Sequence, residues 1–321
     1  MGHRSRPRLG LRTLGLQTAK GMAAVVLSLA AASSARALDV RASVNAAAAA
    51  SRSERVETAN LPVAPKVLVL LPPSYEGSGT RRYPVLYFLH DGQGDERVLL
   101  RRGVALQLLA EMRSRTIPEF LIVTPRGVGS WFVDSYDERS RYERFLSEDL
   151  VPFVDGKYRT IPERRARLAA GISMGGYGAI HWGFLHPELF AAVGGLSPAI
   201  QQLDWRGVQA LPFFIRPSLT RVFGRSAGKN HMRQNDLYDI LLSRPAVSRD
   251  APEVLVRCGL QDKYRLGEIS GFFRKFLGAV GVPNDIVVEP GAHEWSYWSQ
   301  SLPKLIADLS RRLPPSEATT R

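Results

Sequence analysis

Residues 168–178 read L-A-A-G-I-S-M-G-G-Y-G. A short apolar run ends at Gly171, Ser173 follows at the second position after it, and Gly175, Gly176 and Gly178 open a segment with the spacing of a helix. This is the G-x-S-x-G layout of a serine carried on a sharp strand-to-helix turn. Side chains larger than hydrogen clash beside the serine in such a turn, and the turn lifts the hydroxyl clear of the sheet. The stretch therefore predicts a strand, an exposed nucleophile and a helix, in that order.

The segments on either side repeat the alternation. Residues 66–71 (K-V-L-V-L-L), 83–89 (Y-P-V-L-Y-F-L), 120–124 (F-L-I-V-T), 191–196, 254–258 (V-L-V-R-C) and 286–288 (I-V-V) read as further strands, and 83–89 is apolar throughout, as a strand covered on both faces is. Between them, Leu100, Val104, Leu108 and Met112 recur every four residues, Leu146, Leu150, Phe153 and Val154 share a face that Pro152 is expected to bend, and Tyr177, Ile180 and Phe184 share another. A last helix is expected after Ser301, with Leu305, Ile306, Leu309 and Leu313. Strands separated by helices predict an α/β fold with a mainly parallel sheet covered on both faces. Residues 201–250 hold no strand pattern and are rich in Pro, Arg and aromatics, so they are expected to form an insertion or lid at the edge of the site.

At 321 residues and 45% hydrophobic the chain can bury a large core, and nothing marks a second folded domain. Residues 1–37 differ in kind: Arg4, Arg6, Arg8, Arg12 and Lys20 precede an apolar run over 21–32, then Ala35-Arg36-Ala37. A basic leader, a short apolar segment and a small-x-small site predict a signal peptide cut after Ala37, with a secreted or periplasmic mature protein. The apolar run is too short to span a bilayer. Residues 38–60 read as a linker, folded structure is expected from about Leu61, and 314–321 as a frayed tail.

The formal charge of +13 includes six basic leader residues; without them 37 basic face 30 acidic residues, a charge of +7. Such a surface attracts anionic envelopes or acidic polymers. The arginines are scattered without a stripe or interleaved aromatics, so nucleic acid is not expected as a partner. Cys258 is the only cysteine and lies in an apolar strand, which excludes disulfides and cysteine-based metal sites. No metal cluster, dinucleotide fingerprint or G-x-x-x-x-G-K is present, and no cofactor is expected.

A serine hydroxyl becomes a useful nucleophile when a histidine takes its proton and a carboxylate orients that histidine. In this sheet type the partners follow in the order Ser, Asp or Glu, His, each after a later strand. Asp262 follows strand 254–258 and His293 follows strand 286–288, both at the carboxyl edge of the sheet. A second G-x-S-x-G at Gly224-Arg-Ser226-Ala-Gly228 lacks the strand-turn-helix context. Glu268 falls in a helix and Asp285 opens a strand, so both are weaker acids for the role, while Asp262 has an alternative reading as an ordinary turn residue. His181, His186 and His231 read as surface or packing residues, and His90 as a brace for the glycine loop that follows it. Acyl chemistry also needs donors for an oxyanion: Met174 N–H supplies one, and the loop from His90 to Gly94 is expected to supply the other, through Gln93.

The phrases L-P-P-S-Y-E, Y-P-V-L-Y-F-L-H-D-G, D-L-V-P-F-V-D-G-K-Y-R-T, G-I-S-M-G-G-Y-G-A, H-P-E-L-F-A-A-V-G-G-L-S and G-A-H-E-W-S-Y-W together resemble the esterase D-like family, over about 61–313. That family includes S-formylglutathione hydrolases, feruloyl, acetylxylan and tributyrin esterases, and bacterial mycolyltransferases. The resemblance implies an α/β-hydrolase fold with Ser173 as nucleophile, Asp262 as acid and His293 as base, and oxyanion donors at Met174 and Gln93. It also implies that Trp131, Asp134 and Ser135 border the acyl pocket together with the lid. One departure is H-D-G-Q-G at 90–94, where many members carry H-G-x-G-G. The expected function is an exported serine esterase acting on a small-molecule or polysaccharide-linked ester. The rivals are an acyltransferase to a sugar or lipid alcohol with the same machinery, and a secreted binding protein on an inactive hydrolase scaffold.

Overall fold

Val85–Leu89 is apolar and buried at all five positions, and its side chains alternate between two cores: Val85, Tyr87 and Leu89 on one face, Leu86 and Phe88 on the other. A strand that feeds two cores belongs in the middle of a covered sheet. The computed structural model describes residues 47–200, 213, 215–225, 229–244 and 249–314. Its strands are β1 Ser51–Arg55, β2 Lys66–Leu70, β3 Val85–Leu89, β4 Leu121–Pro125, β5 Arg167–Ile172, β6 Ala192–Leu196, β7 Glu253–Gly259 and β8 Asn284–Glu289. They form one sheet in the order β1-β2-β4-β3-β5-β6-β7-β8. From β4 to β8 all pairings are parallel, whereas β2 runs antiparallel to both β1 and β4.

The helices that matter here are α1 Val104–Arg113, α2 Val151–Lys157, α3 Met174–Leu185, α4 Arg216–Phe223, α5 Lys229–Gln234, α6 Leu237–Ser243, α7 Leu266–Ala279 and α8 Trp295–Ser310. Side chains of α1 and α8 fill the core against Leu86 and Phe88, and those of α2, α3 and α7 fill the opposite core. Pro152, expected to bend its helix, follows a π-helical turn at Phe145–Leu150 that runs on without a break into α2, so its missing N–H interrupts a continuous helical ladder.

Two expectations are corrected. The segment 38–60 is not all linker, because β1 forms within it. Its sequence S-R-S-E-R has no apolar pattern, and the strand is held by its backbone ladder to β2 from Ser51↔Leu70 to Arg55↔Lys66. Its charged side chains, with Arg52 paired to Glu76 and Glu54 to Lys157, suit an edge strand that must not recruit a further one. The last helix starts at Trp295, six residues before Ser301, and runs through a buried Pro303 with the loss of one backbone bond. In the 201–250 segment the described residues form α4, α5 and α6, with Asp236 capping α6 by accepting the N–H groups of Tyr238 and Asp239. The leader 1–37, Ser226 and tail residues 315–321 lie outside the described residues. Among the described residues no helix is long and apolar enough to cross a membrane.

Candidate active site

Ser173 stands between β5 and α3 with φ 52° and ψ −112°, a left-handed backbone that an L-residue adopts only when its surroundings impose it. The surroundings are backbone. A Cβ on Gly175 would fall on the carbonyl of Leu89, and one on Gly171 would fall on the backbone of Gly175. The turn is pinned by Ser173 N–H donating to Leu196 O at 2.9 Å and by Ser173 O accepting from Tyr177 N–H and Ala199 N–H. Glycines at 171 and 175 thus let β3, β5 and α3 close on one another, and the closure fixes the serine.

The late loops bring the other two groups to it. Ser173 Oγ lies 3.0 Å from His293 Nε2, and His293 Nδ1 lies 2.6 Å from Asp262 Oδ2. A carboxylate only accepts, so Nδ1 carries the ring proton, and Nε2 is left to accept from the Ser173 hydroxyl. The Asp262 side chain is fully buried, and its other oxygen accepts Tyr264 N–H at 2.9 Å, so the carboxylate cannot rotate away from the histidine. Glu268, the competing acid, lies in α7 and pairs with Arg265 just before it, and Asp285 is the second residue of β8.

Four residues absent from the sequence reading of the site fix this geometry. The His293 ring sits between Tyr264 and Trp298, both edge-on, at centroid distances of 4.9 and 4.8 Å. Trp298 Nε1 donates to Ser197 Oγ at 3.2 Å, tying the start of α8 to the loop after β6. Gln261 joins the two loops directly: its backbone N–H donates to Gly291 O at 2.9 Å and its Oε1 accepts Gly291 N–H at 2.8 Å. Trp298 stands within the G-A-H-E-W-S-Y-W phrase and Tyr264 stands two residues after Asp262, so sequence proximity was the available signal for both.

His90 is a neutral brace. Its Nε2 accepts Gly127 N–H at 2.9 Å, which leaves Nδ1 to donate to Asp91 O at 2.7 Å, and burial lowers the ring's pKa against the pull of the neighbouring carboxylates. Met174 opens α3, so its N–H is among the first-turn donors that have no intrahelical acceptor. Gln93 differs: its N–H is donated to Asp91 Oδ1 at 2.9 Å, inside the loop, so it serves an oxyanion only by changing acceptor.

Trp131 and Phe132 take positive φ, and Gly127 and Gly178 leave the space Phe132 fills. Trp131 lines a cavity of about 20 Å³ with Tyr177, Ala199, Ile200 and Phe223 among others, next to the residues that pin Ser173, and its Nε1 donates to Ser218 Oγ at 3.1 Å on α4. Asp134 and Ser135 are occupied locally. Asp134 Oδ1 accepts the N–H groups of Glu143 and Arg144, and burial raises its pKa despite those bonds; Ser135 Oγ donates to Asp137. Of the other histidines, His186 pairs with Glu143 and Glu188, and His231 Nε2 donates to Asp134 O. The second G-x-S-x-G is preceded by a helix, α4, where the elbow geometry needs a strand. Among the described residues no group of three His, Cys, Asp or Glu side chains is placed to hold a metal.

A family model described as "Putative esterase" matches residues 58–309. Esterase Rv1288 of Mycobacterium tuberculosis is 31% identical over 155 residues, which are 47% of this chain and 33% of that protein. The chain therefore spans about a third of the length of that relative. An acetyl esterase of Caldicellulosiruptor saccharolyticus is 24% identical over 199 residues, 59% of this chain and 71% of its own. Among solved structures, a ferulic acid esterase superposes with a TM-score of 0.69 at 25% identity, over 82% of this chain and 98% of the other.

Proposed function

The chain belongs to the esterase family and has the α/β-hydrolase fold, and from that premise we propose that it hydrolyses carboxylic esters through an acyl-enzyme on Ser173. The observation that carries this is the continuous run of bonds from Ser173 Oγ through His293 to buried Asp262, at 3.0 and 2.6 Å.

In the proposed reaction His293 Nε2 takes the Ser173 proton as Oγ attacks the ester carbonyl carbon. The carbonyl oxygen becomes an oxyanion facing Met174 N–H at the start of α3, where the helix dipole also favours negative charge. His293, now charged and held by Asp262, returns the proton to the leaving alcohol. Water then repeats the sequence, with His293 as base, to release the acid and restore Ser173. The ordering of the ring by Tyr264, Trp298 and Asp262 keeps Nε2 on the serine through both halves. Export by the leader 1–37 is part of the proposal.

The test is hydrolysis of p-nitrophenyl acetate, butyrate and octanoate by wild type and Ser173→Ala. Turnover in wild type that drops at least about a thousandfold in the variant supports the reading. Equal turnover in both removes the serine from the mechanism. Adding an alcohol acceptor and measuring the split between acid and new ester separates hydrolysis from acyl transfer.

A further inference from the structure

A second recess lies beside the site. It is an open recess of about 770 Å³, and its walls carry Arg55, Lys66, Arg126, Arg139 and Arg221 against a single carboxylate, Asp137. Arg126 and Arg139 have carboxylates 3.8 and 3.6 Å away, at the outer range of ion pairing. Arg55 donates to a backbone carbonyl, and among the described residues it, Lys66 and Arg221 have no carboxylate partner. Five cations around one concavity, three of them without a carboxylate partner among the described residues, set up a repulsion that an anionic occupant would relieve.

The sheet places this recess on the same edge as Ser173. Arg126 follows the carboxyl end of β4, β2 is antiparallel so that Lys66 begins there, and Arg55 ends β1 beside Lys66. At about 4.8 Å per strand, β4 lies about 10 Å from β5 and β1 about 19 Å from it. One wall divides the two spaces: Trp131 and Phe223 face the cavity next to Ser173, while Ser130, Arg221 and Val222 face the basic recess.

Resting on the esterase reading, we propose that the recess binds the carboxylate-bearing sugars of an acidic polysaccharide whose acyl ester enters the site at Ser173. The substrate of an esterase must offer esterified hydroxyls. An acidic polysaccharide carries both hydroxyls that can be esterified and regularly spaced carboxylates, which match the basic lining. Guanidinium groups, four of the five cations, bind planar carboxylates through paired hydrogen bonds. An anionic membrane surface is the weaker occupant, because the cations line a concavity and a bilayer cannot enter one.

The test uses the full-length protein with Lys66→Glu/Arg221→Glu, both exposed positions outside the catalytic machinery. Substrates are acetylated polygalacturonate, an acetylated neutral glucan and p-nitrophenyl acetate. The proposal predicts a loss of about tenfold in kcat/KM on the acidic polymer, carried by KM, with the other two within about twofold, and a wild-type rate on the acidic polymer that falls as salt rises. Equal losses on all three substrates, or none on the acidic polymer, overturn it. Affinity electrophoresis of Ser173→Ala and of the triple variant in deacetylated polygalacturonate reads the recess without catalysis. Retardation lost with the two charge reversals supports the proposal even if no ester is turned over, the result that would instead sink the esterase reading. Retardation unchanged by the reversals, or sedimentation with phosphatidylglycerol vesicles that the reversals abolish while polymer binding persists, overturns it.

Discussion

Asp262 Oδ2 lies 2.6 Å from His293 Nδ1, with the carboxylate fully buried and its second oxygen held by Tyr264 N–H. That contact decides which ring nitrogen faces Ser173 with a lone pair. In Asp262→Asn the amide nitrogen can donate to Nδ1, which moves the proton to Nε2, where it can no longer accept from the serine. The expected result is a kcat reduced about ten-thousandfold with KM little changed. Steady-state kinetics check it, with a thermal melt to show that the variant is folded. A loss smaller than about tenfold would mean that Asp262 does not set the tautomer.

Gly175 has no room for a methyl group, because the carbonyl of Leu89 occupies the place of its Cβ. Leu89 is in the central strand, so the clash is with backbone that cannot rotate aside. Gly175→Ala is expected to destabilise the protein by more than about 4 kcal/mol, or to prevent soluble expression. Denaturant unfolding of the variant measures this; a midpoint near that of wild type would refute the packing of the elbow.

His181 is wholly buried in α3, and burial lowers its pKa to about 4, outweighing Glu143 nearby. The unfolded chain binds a proton near pH 6.5, so the folded state is penalised as pH falls below that value until the folded pKa is reached. At pH 5 the penalty is about 2 kcal/mol, and at pH 8 it vanishes. His181→Leu is therefore expected to lose less stability than wild type between pH 8 and pH 5. Denaturant midpoints at the two pH values give the comparison, and parallel pH slopes for the two proteins would contradict it.

The leader makes a prediction of its own. Expressed with its first 37 residues in a secreting host, the exported protein is expected to begin at Leu38, the residue after Ala35-Arg36-Ala37. N-terminal sequencing reads this directly, and an exported chain that retains residues 1–37 would contradict it.

The parts of this molecule legible in the sequence are those whose pattern is local. Residues 85–89 and 168–172 are continuous apolar runs that become the neighbouring parallel strands β3 and β5. Ser173, Asp262 and His293 could therefore be placed at one sheet edge by chain order, and the structure brings them within bonding distance. The parts that escaped have no local mark. β1 is five polar residues stabilised by a partner 11 residues downstream at its close and 19 at its start. The first half of α8 runs into Pro303, which a helix interior disfavours, and the packing of Trp298, Leu302 and Leu305 on the core outweighs that cost. Tyr264 and Trp298 lie near Asp262 and His293 in sequence, but the edge-on approach of their rings to the imidazole, and the bonds of Gln261 to Gly291, depend on directions that no spacing encodes. Asp134 shows the converse. The family resemblance implies a place for it at the acyl pocket, yet its carboxylate is spent on the N–H groups of Glu143 and Arg144.

The most direct test of the central claim is to mix the protein with p-nitrophenyl acetate, quench in acid within one turnover, and map the added acetyl group by peptide mass spectrometry. An acetyl ester on Ser173 in wild type, absent from Ser173→Ala and accumulating in neither His293→Ala nor a denatured control, is the predicted result. Turnover of the ester with no acetyl group on Ser173, or with one on another residue that forms and decays at the rate of turnover, would contradict it.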